Sequence, residues 1–233
     1  MGSLTALLLA TPIFGFSLHA PALQGTVDLS AKTVAEVRAA DADDKSAEDG
    51  AEGDDAEYVK QLKERHTIAS IHRVAGIATW VSMTLTVAAG FINYNNLYGF
   101  GAGQGNNPCV TGDAIGGDWG CSGMRPVKNI LAITTTVLYA GTFSLSLLMP
   151  DPDNLSEGKG DFASTLRLHK TLRWVHFGGM VAQVLAGIVL SNSLLGLDRA
   201  NDYKALQALA TVHMGIGLVT WGALTWAGAL MVF

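Results

Sequence analysis

The chain has 233 residues, of which 49% are apolar and only 15% charged, with a net charge of −5. That balance argues against an ordinary soluble domain and for an integral membrane protein with a polar appendage. It carries no basic tract of the kind nucleic acid requires, and no phosphate loop, nucleophile elbow or zinc-protease signature.

Residues 1–22, "MGSLTALLLATPIFGFSLHAPA", read as a signal peptide: an apolar stretch followed by Ala20-Pro21-Ala22, a small-x-small cleavage pattern. The segment departs from that pattern in having no Lys or Arg near its start, and an uncleaved anchor also fits. Residues 23–65 are expected to form a disordered acidic tether. Its first part, 23–57, is rich in Ala, Asp, Glu and Gly and poor in aromatics, and cannot bury enough apolar surface to offset chain entropy. A solvated linker is the simplest reading, and an acidic docking segment for a basic partner the other.

Four apolar stretches follow at about 68–94, 127–149, 172–195 and 205–233. Each meets the roughly 20 residues a spanning helix needs. The connections hold turn-formers, as in "MPDPDNLSEGKGD" and "GLDRANDYK". The predicted fold is therefore all-α: a four-helix transmembrane bundle in up-down order over residues 66–233. Trp80, Trp174, Trp221 and Trp226 suit either interfacial anchoring or interior packing.

The loop between the first two stretches contains the chain's two cysteines, Cys109 and Cys121. Their proximity suggests a disulfide formed in an oxidising compartment, against the alternative of two unpaired thiols. Orientation is contested. A cleaved signal would put this loop in the cytoplasm. The cations Lys60, Lys63, Arg65, Arg73, Lys159, Arg167, Lys170 and Arg173, against Arg125, Lys128, Arg199 and Lys204, favour the opposite arrangement.

Five histidines lie beyond the signal segment: His66, His72, His169, His176 and His213. Four fall near the starts of the first and third helices, which begin on one side of the membrane. Ionisable residues at membrane depth are costly and are candidates for function. If Arg73 and Arg173 mark a similar depth, His72 and His176 lie within roughly 8 Å of rise of each other. One imidazole from each of two helices is what a bis-histidine haem b requires, and Arg73, Arg167, Lys170 and Arg173 could neutralise its propionates. His72 with His176 is the preferred pair. His169, seven residues from His176 on the same face, could replace it. His66 with His169 is the runner-up, or both pairs for two haems. His213 enters from the opposite side, where the second helix offers no histidine. It could be a structural hydrogen-bonding group, a quinone contact, or a ligand completed by another subunit. Gly76, Gly178, Gly179, Gly215 and Gly217 could admit a macrocycle, or simply let helices pack closely.

The segments "HRVAGIATWVSMTLTVAAG", "HFGGMVAQVLAGIVL" and "HMGIGLVTWGALTWAGAL" resemble the His-led helices of cytochrome b561-type membrane electron carriers. The resemblance spans about residues 66–233. It implies a four-helix core with bis-histidine haems near both faces, passing electrons from ascorbate or a quinol to an acceptor. By it, His72, His176 and His213 match the ligands of the first, third and fourth core helices. The second core helix departs from the pattern by lacking its histidine, which puts the second haem in question.

The expected function is electron transfer as a membrane b-type cytochrome, possessing oxidoreductase activity or serving as an electron-transfer subunit. Its expected partners are membrane lipid, a quinol or other electron donor, and a redox protein or larger membrane complex. The expected location is a bacterial inner membrane. The alternative is a non-redox membrane scaffold or accessory subunit. A metal transporter is disfavoured because no Asp or Glu lies within the four apolar stretches.

Overall fold

The computed structural model describes residues 48–192 and 196–231, with side chains over 55–190 and 196–231. The expected signal segment and residues 23–47 of the expected tether lie outside the described residues. The chain divides into two units, Met1–Ala51 and Glu52–Phe233, and the bundle described below from Glu52 onward belongs to the second.

Six helices and no strand occur among the described residues: α1 (Glu48–Tyr98), α2 (Pro108–Thr111), α3 (Gly117–Ser122), α4 (Met124–Leu148), α5 (Asp161–Asn192) and α6 (Tyr203–Ala229). The long four, α1, α4, α5 and α6, are long and apolar enough to cross a membrane. The protein is an all-α four-helix bundle of an integral membrane kind.

Two helices begin earlier than expected. Residues 48–65, assigned above to the tether, are the first turns of α1. Acidic residues in the sequence at a helix start suit the positive end of the helix dipole, and "EYVKQLKER" is made mostly of good helix formers. Glu57 accepts from Lys60 at 3.2 Å and from Gln61 at 3.3 Å, pairs at helical spacing. From Asp55 the candidate span is 44 residues, or about 66 Å. That is twice the ~30 Å hydrocarbon layer, so its polar first turns stand outside it. Likewise α5 starts at Asp161 rather than near 172, which brings His169 within the helix.

Polar contacts fix the order of the helices around the bundle. Along the α1–α4 seam, Thr79 meets Thr142 at 2.9 Å, while Thr135 meets both Ser82 and Thr86 at 2.8 Å. Between α4 and α5, Tyr139 meets His176 at 2.7 Å and Arg173 donates to the Ser146 carbonyl at 3.1 Å. Between α5 and α6, His169 bonds the Ala227 carbonyl and Gln183 donates to that of His213. Between α6 and α1, Trp80 donates to Thr225 and Trp221 to Thr84, a reciprocal pair at 2.9 and 3.0 Å. Neighbours are antiparallel, so the order is α1–α4–α5–α6, with α1 and α5 diagonal. Trp80 and Trp221 therefore tie helices together, while Trp174 and Trp226 are more than half exposed on the surface.

The loop after α1 is an ordered cap. Cys109 and Cys121 form a disulfide. Asn96, fully buried, donates to the carbonyls of Ile115 and Gly120 and accepts from the Ile115 amide. Gly120 has to be glycine, because a Cβ there would collide with the Ile115 carbonyl. Gln104 donates to the carbonyls of Arg199 and Ala200, joining this loop to the one between α5 and α6.

Candidate functional site

His72, His169, His176 and Arg173 lie close enough to feel one another's charge in the half of the bundle away from the disulfide. The antiparallel pairings place His72 level with the α5 segment between His169 and His176. This follows because Thr79 pairs with Thr142, Ser146 with Arg173 and Tyr139 with His176. His72 thus faces both α5 histidines across the bundle's diagonal.

Each of these rings is held by Nδ1. His72 Nδ1 is 3.1 Å from the Thr142 carbonyl, His169 Nδ1 2.9 Å from the Ala227 carbonyl, and His176 Nδ1 2.7 Å from the Tyr139 hydroxyl. A carbonyl only accepts, so Nδ1 of His72 and of His169 carries the hydrogen. In the neutral ring this leaves the lone pair on Nε2. The hydroxyl of Tyr139 can give or take, so His176 is free to adopt either tautomer. Among the described residues no Nε2 of the three has a hydrogen-bond partner. Nor does any group of three or more His, Cys, Asp or Glu converge as a site for a bare metal ion.

His66 is exposed at the charged start of α1, outside this cluster. The cations have mostly other work. Arg65 and Lys170 share the carboxylate of Asp151 at 2.7 and 3.0 Å. Arg167 donates to the carbonyls of Ser156 and Gly158. They fasten the α4–α5 loop to α1 and α5. Arg73 is exposed. Arg173 lies over the Trp174 ring at 5.3 Å, and its Nε is buried without a partner.

The other half of the bundle, below the disulfide loop, holds a cavity of about 900 Å³. Its floor includes Met83 and Met180, which pack on Tyr139. His213 lines it, with Nδ1 buried and unpartnered. Lys128, Arg125 and Arg199 line it as well.

The chain matches no protein-family model. No curated protein and no solved structure matches it either. Its function is therefore argued from its own residues.

Sequence reasoning missed two of them. Tyr139 is the sole tyrosine in the second apolar stretch, a lone phenol in a membrane helix, and that was the available signal. Lys128 entered only as a counted charge, since its place in a cavity wall depends on how α4 is rotated.

Proposed function

We propose that the protein is a membrane b-type cytochrome of the cytochrome b561-like kind, seated in a bacterial inner membrane. It transfers electrons between a quinol or small reductant and a partner acceptor. Haem b is held by His72 on one side and by His176, or its neighbour His169, on the other. One observation supports this above all: diagonal helices present imidazoles anchored through Nδ1, leaving Nε2 for a ligand. Metal-ligating histidines are commonly oriented in that way, by giving the other ring hydrogen to a carbonyl. Two protein ligands suffice for haem iron, which suits a cluster that does not converge on a bare ion. The buried, unpartnered Nε of Arg173 is a ready donor for a propionate. When bound, the haem supplies one-electron redox chemistry, tuned by its axial ligands and surroundings.

The deciding experiment is a dithionite-reduced minus oxidised visible spectrum of the detergent-purified protein, with haem quantified per chain. Sharp b-type bands are expected. His72→Ala should abolish them, and of His169→Ala and His176→Ala the one that removes the second ligand should do the same. A colourless preparation from cells supplied with ample haem would overturn the proposal and leave a non-redox membrane scaffold.

A further inference from the structure

We propose that the cavity beneath the disulfide loop binds an uncharged, lipid-soluble molecule with a hydroxyl-bearing head, held by a ring of Asn93, Asn129, Gln183 and His213. The inference does not rest on the haem reading, because it uses the opposite half of the bundle and other residues.

Depth is the first argument. The four residues come from the four spanning helices, and all of them line the cavity. Starting from the Thr86–Thr135 contact, six residues along α1 and α4 bring Asn129 opposite Ile92. Starting from the Tyr94–Thr211 contact, two residues along α1 and α6 bring His213 opposite the same position. Asn93 is the next residue on α1, and Gln183 joins the group by donating to the His213 carbonyl. One polar side chain from each helix therefore falls at one depth of a membrane bundle, where such groups are costly unless they find partners.

Unmet hydrogen bonding is the second. Among the described residues, the side chains of Asn93 and Asn129 have no hydrogen-bond partner, and neither ring nitrogen of His213 has one; its Nδ1 is buried. A carbonyl only accepts, so the amide nitrogen of Gln183 faces His213 and the amide oxygen is left over. The amide oxygens of Asn93, Asn129 and Gln183 are thus acceptors, while the amide nitrogens of Asn93 and Asn129 are donors. The ammonium of Lys128, near enough to His213 to act on its charge, adds one more donor.

This mixture selects the head. A carboxylate or phosphate only accepts, and would leave the amide oxygens unmatched. A hydrocarbon would match nothing. A hydroxyl gives and accepts at once, so a head with two hydroxyls can satisfy groups on opposite sides of the ring. Size and walls select the body. About 900 Å³ lies toward the upper end of the ~300–1,000 Å³ typical of ligand sites. Val87, Ile133, Val184 and Leu206 contribute apolar surface on four different helices. A glycerol monoester of a fatty acid and a hydroquinone with an alkyl tail both have this chemistry.

The test uses the full-length protein in phosphatidylcholine nanodiscs, with a monoacylglycerol carrying a photoreactive diazirine in its chain as probe. Cross-links are mapped by mass spectrometry. Labelling is expected on the helix segments that line the cavity. Asn93→Leu and Asn129→Leu should each weaken it about three- to tenfold, the scale of one hydrogen bond. Ser144→Ala, exposed in the other half of the bundle, should leave it unchanged. On the unaltered protein, unlabelled monoolein or decyl hydroquinone should compete, and the stronger competitor identifies a glycerol monoester or a hydroquinone as the source. Oleate should compete less than that molecule, and hexadecane not at all. Competition by neither hydroxyl compound, equal competition by hexadecane or oleate, or labelling indifferent to both asparagine variants would each overturn the proposal. So would a haem bound in that half and lost in His213→Ala. A colourless preparation would sink the haem reading and leave this test intact.

Discussion

Gly178 and Gly179 are adjacent in the sequence, and both read as small residues for close packing. They differ sharply in the fold. A Cβ at Gly178 would meet nothing within 4 Å, whereas one at Gly179 would collide with the Thr220 hydroxyl. Thr220 itself is 1% exposed, at the crossing of α5 and α6. Gly179→Ala should therefore cost about 1–3 kcal/mol by overpacking, read as a lowered thermal unfolding midpoint in detergent. Gly178→Ala should be near neutral. Adding Thr220→Ala to Gly179→Ala should recover part of the loss, because the Oγ1 and Cγ2 contacts disappear and only the Cβ contact at 3.0 Å remains. A strictly additive double mutant would argue that the two residues do not touch.

Between elements, the α1–α4 seam is built from hydroxyls. Thr135 contacts both Ser82 and Thr86. Thr86 also donates to the Ser82 carbonyl of its own helix, so it keeps a partner if Thr135 is lost. Thr135→Val should accordingly cost only about 0.6–1.7 kcal/mol, the measured scale for such bonds between membrane helices. A larger loss of thermal stability would mean the ladder acts as a cooperative unit. At the end of the bundle, Asp151 joins α1, the α4–α5 loop and α5. Burial pushes its carboxyl up, but the bonds from Lys170 and the Leu155 amide, with the nearby Arg65 charge, outweigh this. The net effect holds the carboxyl below the ordinary carboxylate range. A depressed folded value means the contribution is fully present above the unfolded value, near 3.9. It is lost as pH falls through the folded value. Thermal stability should fall on acidification below about pH 4, and Asp151→Asn should lower it at neutral pH while flattening that acid limb. An unchanged acid limb in Asp151→Asn would assign the effect to other carboxylates.

For the whole molecule, the sequence was legible where its signal was periodic or chemical. Apolar length and turn-rich connections disclosed four spans and their up-down order, and two nearby cysteines disclosed the disulfide. The starts of α1 and α5 were legible only to within ten or more residues, because the charged turns at 48–67 and 161–171 carry no hydropathy signal, only helix propensity, whereas α4 and α6 start within three residues of the expectation. The partners of the histidines were not legible at all. Thr142, Tyr139 and Ala227 reach them across helix seams, and side-chain rotation about each axis sets those meetings. Orientation is where sequence and structure bear on each other most directly. If the Cys109–Cys121 disulfide is kept in an oxidising compartment, four spans would put the starts of α1 and α5 and the end of α6 on the opposite, cytoplasmic side. The excess of Lys and Arg at that end follows the positive-inside rule, even though Arg65 and Lys170 also serve Asp151. A fluorescent protein that matures only in the cytoplasm, fused after Phe233, should fluoresce, and a phosphatase active only outside should stay silent there. Alkylation of intact cells with a membrane-impermeant maleimide should add nothing before reduction and two adducts after mild reduction. An active phosphatase fusion, or no adduct even after reduction, would place the loop in the reducing compartment, and thiols alkylated without reduction would mean the pair is open outside; each removes the disulfide as a guide to topology.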